Sequence, residues 1–516
     1  MKKEKLLIVI LISLLLVLGI ILYALTLKGV RGNIPSQSIK DNLDQVSKPL
    51  ELSPERGRFI LTKSLAENKS FALTNELADA AHPDVGYYEG KYFIYFPPGI
   101  SMLALPLYII GSNYDLAQIG AFATISIFAV FNLLLIFIIG LRIFRLPIFL
   151  AIFTALLFGF ATTSWSYAIT LYQHQVTTFF ILYSLYAGWK YKQSKNFKWL
   201  WGISIWSVYG YSLFVDYPNA FLLLPVVVYF FLTSIVISKM KDRFLIQFKK
   251  EFIFASFFFL ILILMHGYYN YTQFGDWSRV SGSLVGIKTV REEELLKTKK
   301  HENQVSAAAS RKRVVGFFNE KDLPGGFATL LFSSDRGLFI YIPIFIIALF
   351  GIYSLRSKIN LETGVLLGTV GVILFLYSSW GDPWGGWAYG PRYLIPSMAI
   401  LSIFVGVWLN NSRNKLLSSL VTFVLFAYSC FIALLGALTT NQVPPKIEAD
   451  FLKMKYNFLL NWDYFVDGKS GSFIFNEYAS KNMNLQEYFL IIYIPLILIV
   501  FTLLFIVPMF EKKKSL

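Results

Sequence analysis

The sequence holds one cysteine, Cys430, and only four histidines in 516 residues. An internal disulfide is therefore excluded, and a zinc site built from Cys and His has too few ligands to draw on. Charge is scarce as well. Asp, Glu, Lys and Arg make up 15% of the chain, where soluble domains carry roughly a quarter. With 56% hydrophobic residues, that composition excludes an ordinary water-soluble fold. No Walker A, GxSxG, DxD or GxGxxG-plus-acid pattern stands in a context that would give it meaning. No repeat of fixed period is visible.

What the chain does have is apolar runs of about twenty residues, each long enough to cross the ~30 Å hydrocarbon layer as a helix. In lipid, the backbone must satisfy its own hydrogen bonds, so these runs read as helices rather than strands. The expected fold is an all-α polytopic membrane protein with about twelve spans, at 6–27, 115–140, 147–163, 174–189, 198–215, 218–238, 252–270, 337–355, 362–380, 391–409, 416–437 and 488–510. The first follows "MKKEK" but is too long for a signal-peptide core and lacks a small-x-small cleavage site, so it reads as retained. The stretch 97–111 is apolar but broken by Pro97, Pro98, Gly99 and Pro106. It reads as an interfacial or re-entrant helix; counted as a span, it would make thirteen.

Lys and Arg set the orientation. With the N-terminus inside, the inner loops and the two tails hold 21 Lys/Arg and 5 Asp/Glu, and everything else holds 26 of each sign. The whole excess of +16 then lies on one face, where it is a topogenic signal, and a nucleic-acid partner is not needed to explain it. The chain accordingly divides into a first helix (1–27), an outer loop (28–114), a bundle (115–270), an outer loop (271–336), a second bundle (337–437), an outer loop (438–487) and a last helix with a basic cytoplasmic tail (488–516). Within the 271–336 loop, "REEELLKTKKHENQVSAAASRKRVV" reads as a charged helix over the membrane surface.

This topology places Glu55, His82, Asp84, Lys91, His174, Asp216, Arg336, Asp382, Trp384, Trp387 and Arg392 outside or at outer helix ends. The inner loops offer only Lys, Arg and turn residues. "SPERGRF" opens a helix with Glu55 in its first turn, where a carboxylate also complements the dipole. "HPDVGYYEGKYFIYFPPG" alternates as a hairpin turning at Glu89-Gly90. His174 stands at a helix entrance, where packing and chemistry are both open to it. "WGDPWGGWAYGPRYLIP" (380–396) carries more than interfacial tryptophans. Its glycines let the backbone turn or approach a ligand, and Arg392 sits where a guanidinium can grip a phosphate or pair with Asp382.

In their order along residues 1–410, "ERGRFILTKSLAEN", "YYEGKYFIYFPPGISMLALPLY", "GFATTSWSYAITLYQHQ", "YNYTQFGDW", "SSDRGLFIYIP" and "WGGWAYGPRYLIP" resemble segments of the GT-C superfamily. These are glycosyltransferases that use polyprenyl-phosphate sugars, here of the bacterial branch with protein O-mannosyltransferases and aminoarabinose transferases. The resemblance implies a GT-C-like helical fold with its active site on the outer face of the cytoplasmic membrane. It implies transfer of a hexose or pentose from a polyprenyl-phosphate donor to a lipid, glycan or protein, with inversion. It also implies a first-loop acid as general base. The family pattern is an acid, often Asp-Glu, before x-Arg-Tyr. Here Glu55-Arg56 precedes Gly57-Arg58-Phe59, which leaves Glu55 and Asp84 as rival bases. Arg392, Lys91 and Arg336 are then candidates for the donor phosphate, and His174, Asp382, Trp384, Trp387 and Tyr389 for contacts with donor or acceptor. No cofactor is implied, and a divalent metal stays open. The alternatives are a lipid-linked sugar flippase or transporter and an inactive membrane scaffold.

Overall fold

The computed structural model describes residues 2–33, 50–240, 243–287, 297, 299, 300, 323–357, 359–445, 450, 451, 453 and 456–514. Nearly all of the charged helix expected within 271–336 lies outside them. The fold is nearly all-α, and among the described residues seven helices are long and apolar enough to cross a membrane, beside several shorter apolar ones.

Helix α1 (Lys2–Thr26) leads to α2 (Ser53–Glu67), α3 (Asn75–Ala81), the hairpin β1 (Val85–Tyr88) and β2 (Lys91–Ile94), and α4 (Gly99–Ser112). The bundle continues with α5 (Ala117–Arg142), α6 (Ile148–Phe160), α7 (His174–Gln193), α8 (Lys198–Val215), α9 (Asn219–Leu222) and α10 (Leu224–Ser234). A second hairpin, β3 (Ile235–Met240) and β4 (Arg243–Phe248), precedes α11 (Lys250–Phe274) and the short β5 (Val285–Gly286). Then come α12 (Leu323–Phe332), α13 (Leu338–Tyr341), α14 (Phe345–Ser354), α15 (Leu361–Ser378), α16 (Ile395–Asn411), α17 (Lys415–Leu438), α18 (Leu459–Val466) and α19 (Leu485–Phe501). A π-turn at Thr502–Ile506 joins α19 to α20 (Val507–Lys514).

Three expected spans differ from the helices found. The run 147–163 leaves the helix after Phe160, where Thr162 and Ser164 turn their hydroxyls back onto the Phe158 carbonyl (2.7 and 2.8 Å), competing with the helical ladder. The run 218–238 stops at Ser234, and Ile235 onward pairs with β4 from Ile235↔Phe248 to Met240↔Arg243. β-Branched Ile235, Val236 and Ile237 favour that strand. The run 337–355 is two pieces, since Pro343 lacks the N–H that a continuous helix needs.

The first hairpin forms in the expected register, Val85↔Ile94 to Tyr88↔Lys91. Its turn residues Glu89 and Gly90 both have positive φ (44° and 84°), the backbone that suits a two-residue hairpin loop. β5 adds to the far edge of β1.

Contacts among loops collect at one end of the bundle. Trp165 Nε1 donates to Thr26 Oγ1 at the end of α1 (2.9 Å), and Gly32 N donates to the Asp115 carbonyl just before α5 (2.7 Å). Gln173 Nε2, before α7, reaches Asp216 Oδ2 after α8 (3.1 Å). Tyr377 at the end of α15 stacks on Tyr393 before α16 (centroids 4.3 Å apart, planes within 2°). Tyr488 of α19 donates to the Leu25 carbonyl (2.8 Å). Helix α4 lies along this same end: Tyr211 of α8 donates to the Gly99 carbonyl (3.0 Å), and Asn33 donates to the Ser112 carbonyl (3.1 Å). The opposite end is tied separately, through Glu362, which accepts from Lys192 and Tyr229 (2.9 Å each).

Candidate functional site

The site grows from the first turn of α2. Glu55 is 2% exposed, and its Oε1 accepts from the Leu52 N–H (3.3 Å), so it satisfies one orphan donor of the helix start. Its surroundings go beyond that. Glu51 and Lys28 lie close by, with the Thr170 hydroxyl alongside. Lys28 Nζ and Glu51 Oε2 form a buried ion pair (3.1 Å), and the Asn441 N–H also donates to that oxygen (2.8 Å). Burial, then the neighbouring Glu51 charge, push the Glu55 carboxyl up to about 7. A carboxyl with that value is half ionised near neutral pH and suits proton acceptance.

One turn further along α2, Arg58 is 1% exposed. Its Nη1 donates to the Pro54 carbonyl (3.0 Å). Its Cζ lies 4.5 Å from the centre of the Phe96 ring and 5.9 Å from that of Tyr172. Arg392 approaches the same Tyr172 ring at 5.5 Å and its neighbour Tyr393 at 5.5 Å. Two guanidiniums therefore converge on one tyrosine. Burial lowers the Arg58 group to about 10, with Asp216 opposing the fall, so it stays charged at neutral pH. His174, 3% exposed, completes the cage, its ring near-parallel to Tyr172 at 6.0 Å and edge-on to Tyr167 at 5.6 Å. Buried Arg58 Nε, Arg392 Nε and Nη1, Tyr172 OH and His174 Nε2 have no hydrogen-bond partner among the described residues. This set of donors fits an anion with several oxygens.

The 380–391 loop forms one wall. Asp382 Oδ1 accepts from the Gly385 N–H (3.0 Å), and Arg392 Nη2 donates to the Gly385 carbonyl (2.6 Å). No direct ion pair joins Arg392 to Asp382 among the described residues; the aspartate shapes its own turn. Burial raises the Asp382 carboxyl, and the Arg392 charge opposes that rise. Gly385, Gly386 and Gly390 have φ of 70°, 61° and 63°, values costly for side-chain-bearing residues.

Arg336 is buried behind this loop rather than facing the cage. Its side chain donates to the carbonyls of Trp384 (2.9 Å), Asp335 (2.8 Å), Gly386 (2.8 Å) and Val443 (3.1 Å). Four of its five N–H groups thus hold backbone, and it organises the loop. Tyr389 packs inside: its N–H donates to Tyr167 OH (2.8 Å), and its own hydroxyl donates to the Ile432 carbonyl (2.6 Å). Trp384 is half-buried, and Trp387 is 42% exposed at the rim. Asp84 is half-buried before β1, and its charge adds a smaller favourable contribution at Arg58 than that of Asp216. Lys91 is exposed at the hairpin tip, apart from the cage.

Of the sequence-derived set, Glu55, His174 and Arg392 come together around Tyr172, with Asp84 close to Arg58. The sequence reading missed Arg58, Tyr172, Glu51 and Lys28 as site residues. Arg58 carried a signal, since it lies three residues after Glu55 and so on a neighbouring helix face. Glu51 and Lys28 carried none, because their pairing joins segments 23 residues apart. Among the described residues, no group of three or more His, Cys, Asp or Glu side chains is placed to hold a metal ion.

No protein-family model and no curated protein matches this sequence. Among solved structures, ArnT from Cupriavidus metallidurans bound to undecaprenyl phosphate is similar, with a TM-score of 0.49 and 12% identity, covering 95% of this chain and 76% of that one. The archaeal oligosaccharyltransferase AglB from Archaeoglobus fulgidus, in complex with an inhibitory peptide and a dolichol-phosphate, has a TM-score of 0.44 and 12% identity, covering 93% of this chain and 59% of that one. At such identity the likeness concerns the fold alone.

Proposed function

We propose that this membrane protein is a glycosyltransferase that moves a sugar from a polyprenyl-phosphate donor to an acceptor hydroxyl at the outer face of the cytoplasmic membrane. The observation that carries the reading is a near-neutral buried carboxyl, Glu55, beside a cage in which Arg58 and Arg392 converge on Tyr172.

In this mechanism the polyprenyl tail stays in the bilayer, and its phosphate sits between the two guanidiniums. Glu55 accepts the proton of the acceptor hydroxyl as that oxygen attacks the anomeric carbon. The bond from that carbon to the phosphate oxygen breaks, its electron pair stays on the departing polyprenyl phosphate, and the configuration inverts. Arg58 and Arg392 stabilise the charge that grows on the phosphate. A phosphate leaves without an acid's help, so one carboxylate suffices, unlike the glycosidase pair. Asp84 is the second candidate for the base. The outward orientation rests on the basic inner loops.

Polyprenyl phosphate, the expected product, provides a direct test of the cage. It should raise the unfolding temperature of the purified protein, and Arg392→Ala should weaken that effect about tenfold or more in ligand concentration, as expected for a lost charge-assisted contact. Arg392→Lys should restore only part, because a point charge replaces a planar fork. Full ligand stabilisation in folded Arg392→Ala would remove this residue from the site.

A further inference from the structure

At the end of the bundle away from the cage, an open cleft of about 550 Å³ lies between the start of α6, the junction of α16 with α17, and the π-turn of the last helix. Pro147, Leu150, Leu409, Leu416, Leu504 and Met509 make its wall mostly apolar. Leu504 and Phe505, which also lines it, belong to the π-turn Thr502–Ile506. Such a wide turn displaces a helix from its regular path and is frequent at functional sites.

The rim is basic. Arg142 and Arg145 immediately precede the cleft's first wall residues and are exposed, as is Arg413 in the α16–α17 junction. Lys415 lines the cleft itself and donates to the Leu409 and Asn410 carbonyls (2.9 and 2.7 Å). None of the lining residues is acidic. An apolar slot with one lining lysine and exposed arginines on the adjoining segments matches a molecule with acyl chains and a negative head, and basic pockets between helices on the inner side hold such lipids.

We propose that this cleft binds an anionic phospholipid of the inner leaflet, its acyl chain against the π-turn and its phosphate at Arg145, Arg413 and Lys415. The site is remote from the cage and does not depend on the transferase reading.

The purified full chain should be titrated with phosphatidylglycerol or cardiolipin in detergent, with phosphatidylcholine and soluble glycerol phosphate as controls, following the unfolding temperature. The expected result is stabilisation by the anionic lipids at concentrations about tenfold lower than phosphatidylcholine, and none by glycerol phosphate. The double variant Arg145→Gln, Arg413→Gln changes exposed side chains and should erase that preference. Leu504→Trp should fill the cleft and abolish the response. Equal stabilisation by phosphatidylcholine, an equal effect of glycerol phosphate, or an undiminished preference in the folded double variant would each overturn the proposal.

Discussion

Glu55 is held in an environment that makes its charge expensive. Its folded value of about 7, set by burial and then by Glu51, lies above that of an unfolded glutamate near 4.3. The folded state therefore binds the proton more tightly, and stability from this group is present at low pH and is lost as pH rises through 7. Glu55→Gln should consequently be more stable than the wild type at pH 8, by on the order of 1 kcal/mol or more in thermal unfolding, and show little advantage at pH 4. The same substitution should lower turnover on the order of 10²–10⁴-fold, and wild-type kcat/KM should rise with pH to a plateau above 7. A variant neither slower nor more stable at pH 8 would deny Glu55 both the base role and the buried carboxyl. Much of this was legible: "SPERGRF" announces a helix start with an acid in its first turn. What the sequence could not disclose was the ion pair of Lys28 with Glu51 beneath it, because that contact depends on how α1 and the 438–445 segment close over α2. Arg336 shows the converse. Its position beside the outer loops made it a phosphate candidate, yet its hydrogen bonds hold carbonyls of the 380–391 loop.

Among the elements, that loop was the most legible, and its glycines separate into distinct roles. A Cβ on Gly385 would stand 3.0 Å from the Tyr393 ring and 3.1 Å from Arg392 Nε, on a backbone with φ of +70°. One on Gly381 would meet open space, with no positive φ to forbid it. Gly385→Ala should thus cost about 1–3 kcal/mol and weaken polyprenyl phosphate binding, whereas Gly381→Ala should match the wild type in thermal unfolding and ligand response. Equal behaviour of the two would mean that the loop's backbone does not shape the cage. Helix ends were less legible than helix existence. The hydropathy of 147–163 and 218–238 continues past Phe160 and Ser234, but local hydroxyl bonding and β-branched pairing stop the helices there.

Across the whole molecule, the loops that gather around the cage come from the ends of helices scattered along the chain, and the basic junctions lie at the other end. The single cysteine, Cys430, is fully buried, so introduced thiols can report sidedness without background. A cysteine at Asn482, exposed at the cage end, should react with an impermeant thiol reagent in intact cells, and cysteines at Ser194 and Ser357 should react only after the membrane is opened. The reverse pattern would place the cage in the cytoplasm. Turnover tests glycosyl transfer most directly. Purified wild-type protein and Glu55→Gln should be incubated with a panel of polyprenyl-phosphate sugars and candidate acceptors, and the polyprenyl phosphate released should be measured. Glycosyl transfer by Glu55 predicts release from at least one donor by the wild type, with a stable, folded Glu55→Gln slower by at least about a hundredfold; release from no donor, or equal release by the two proteins, would contradict it.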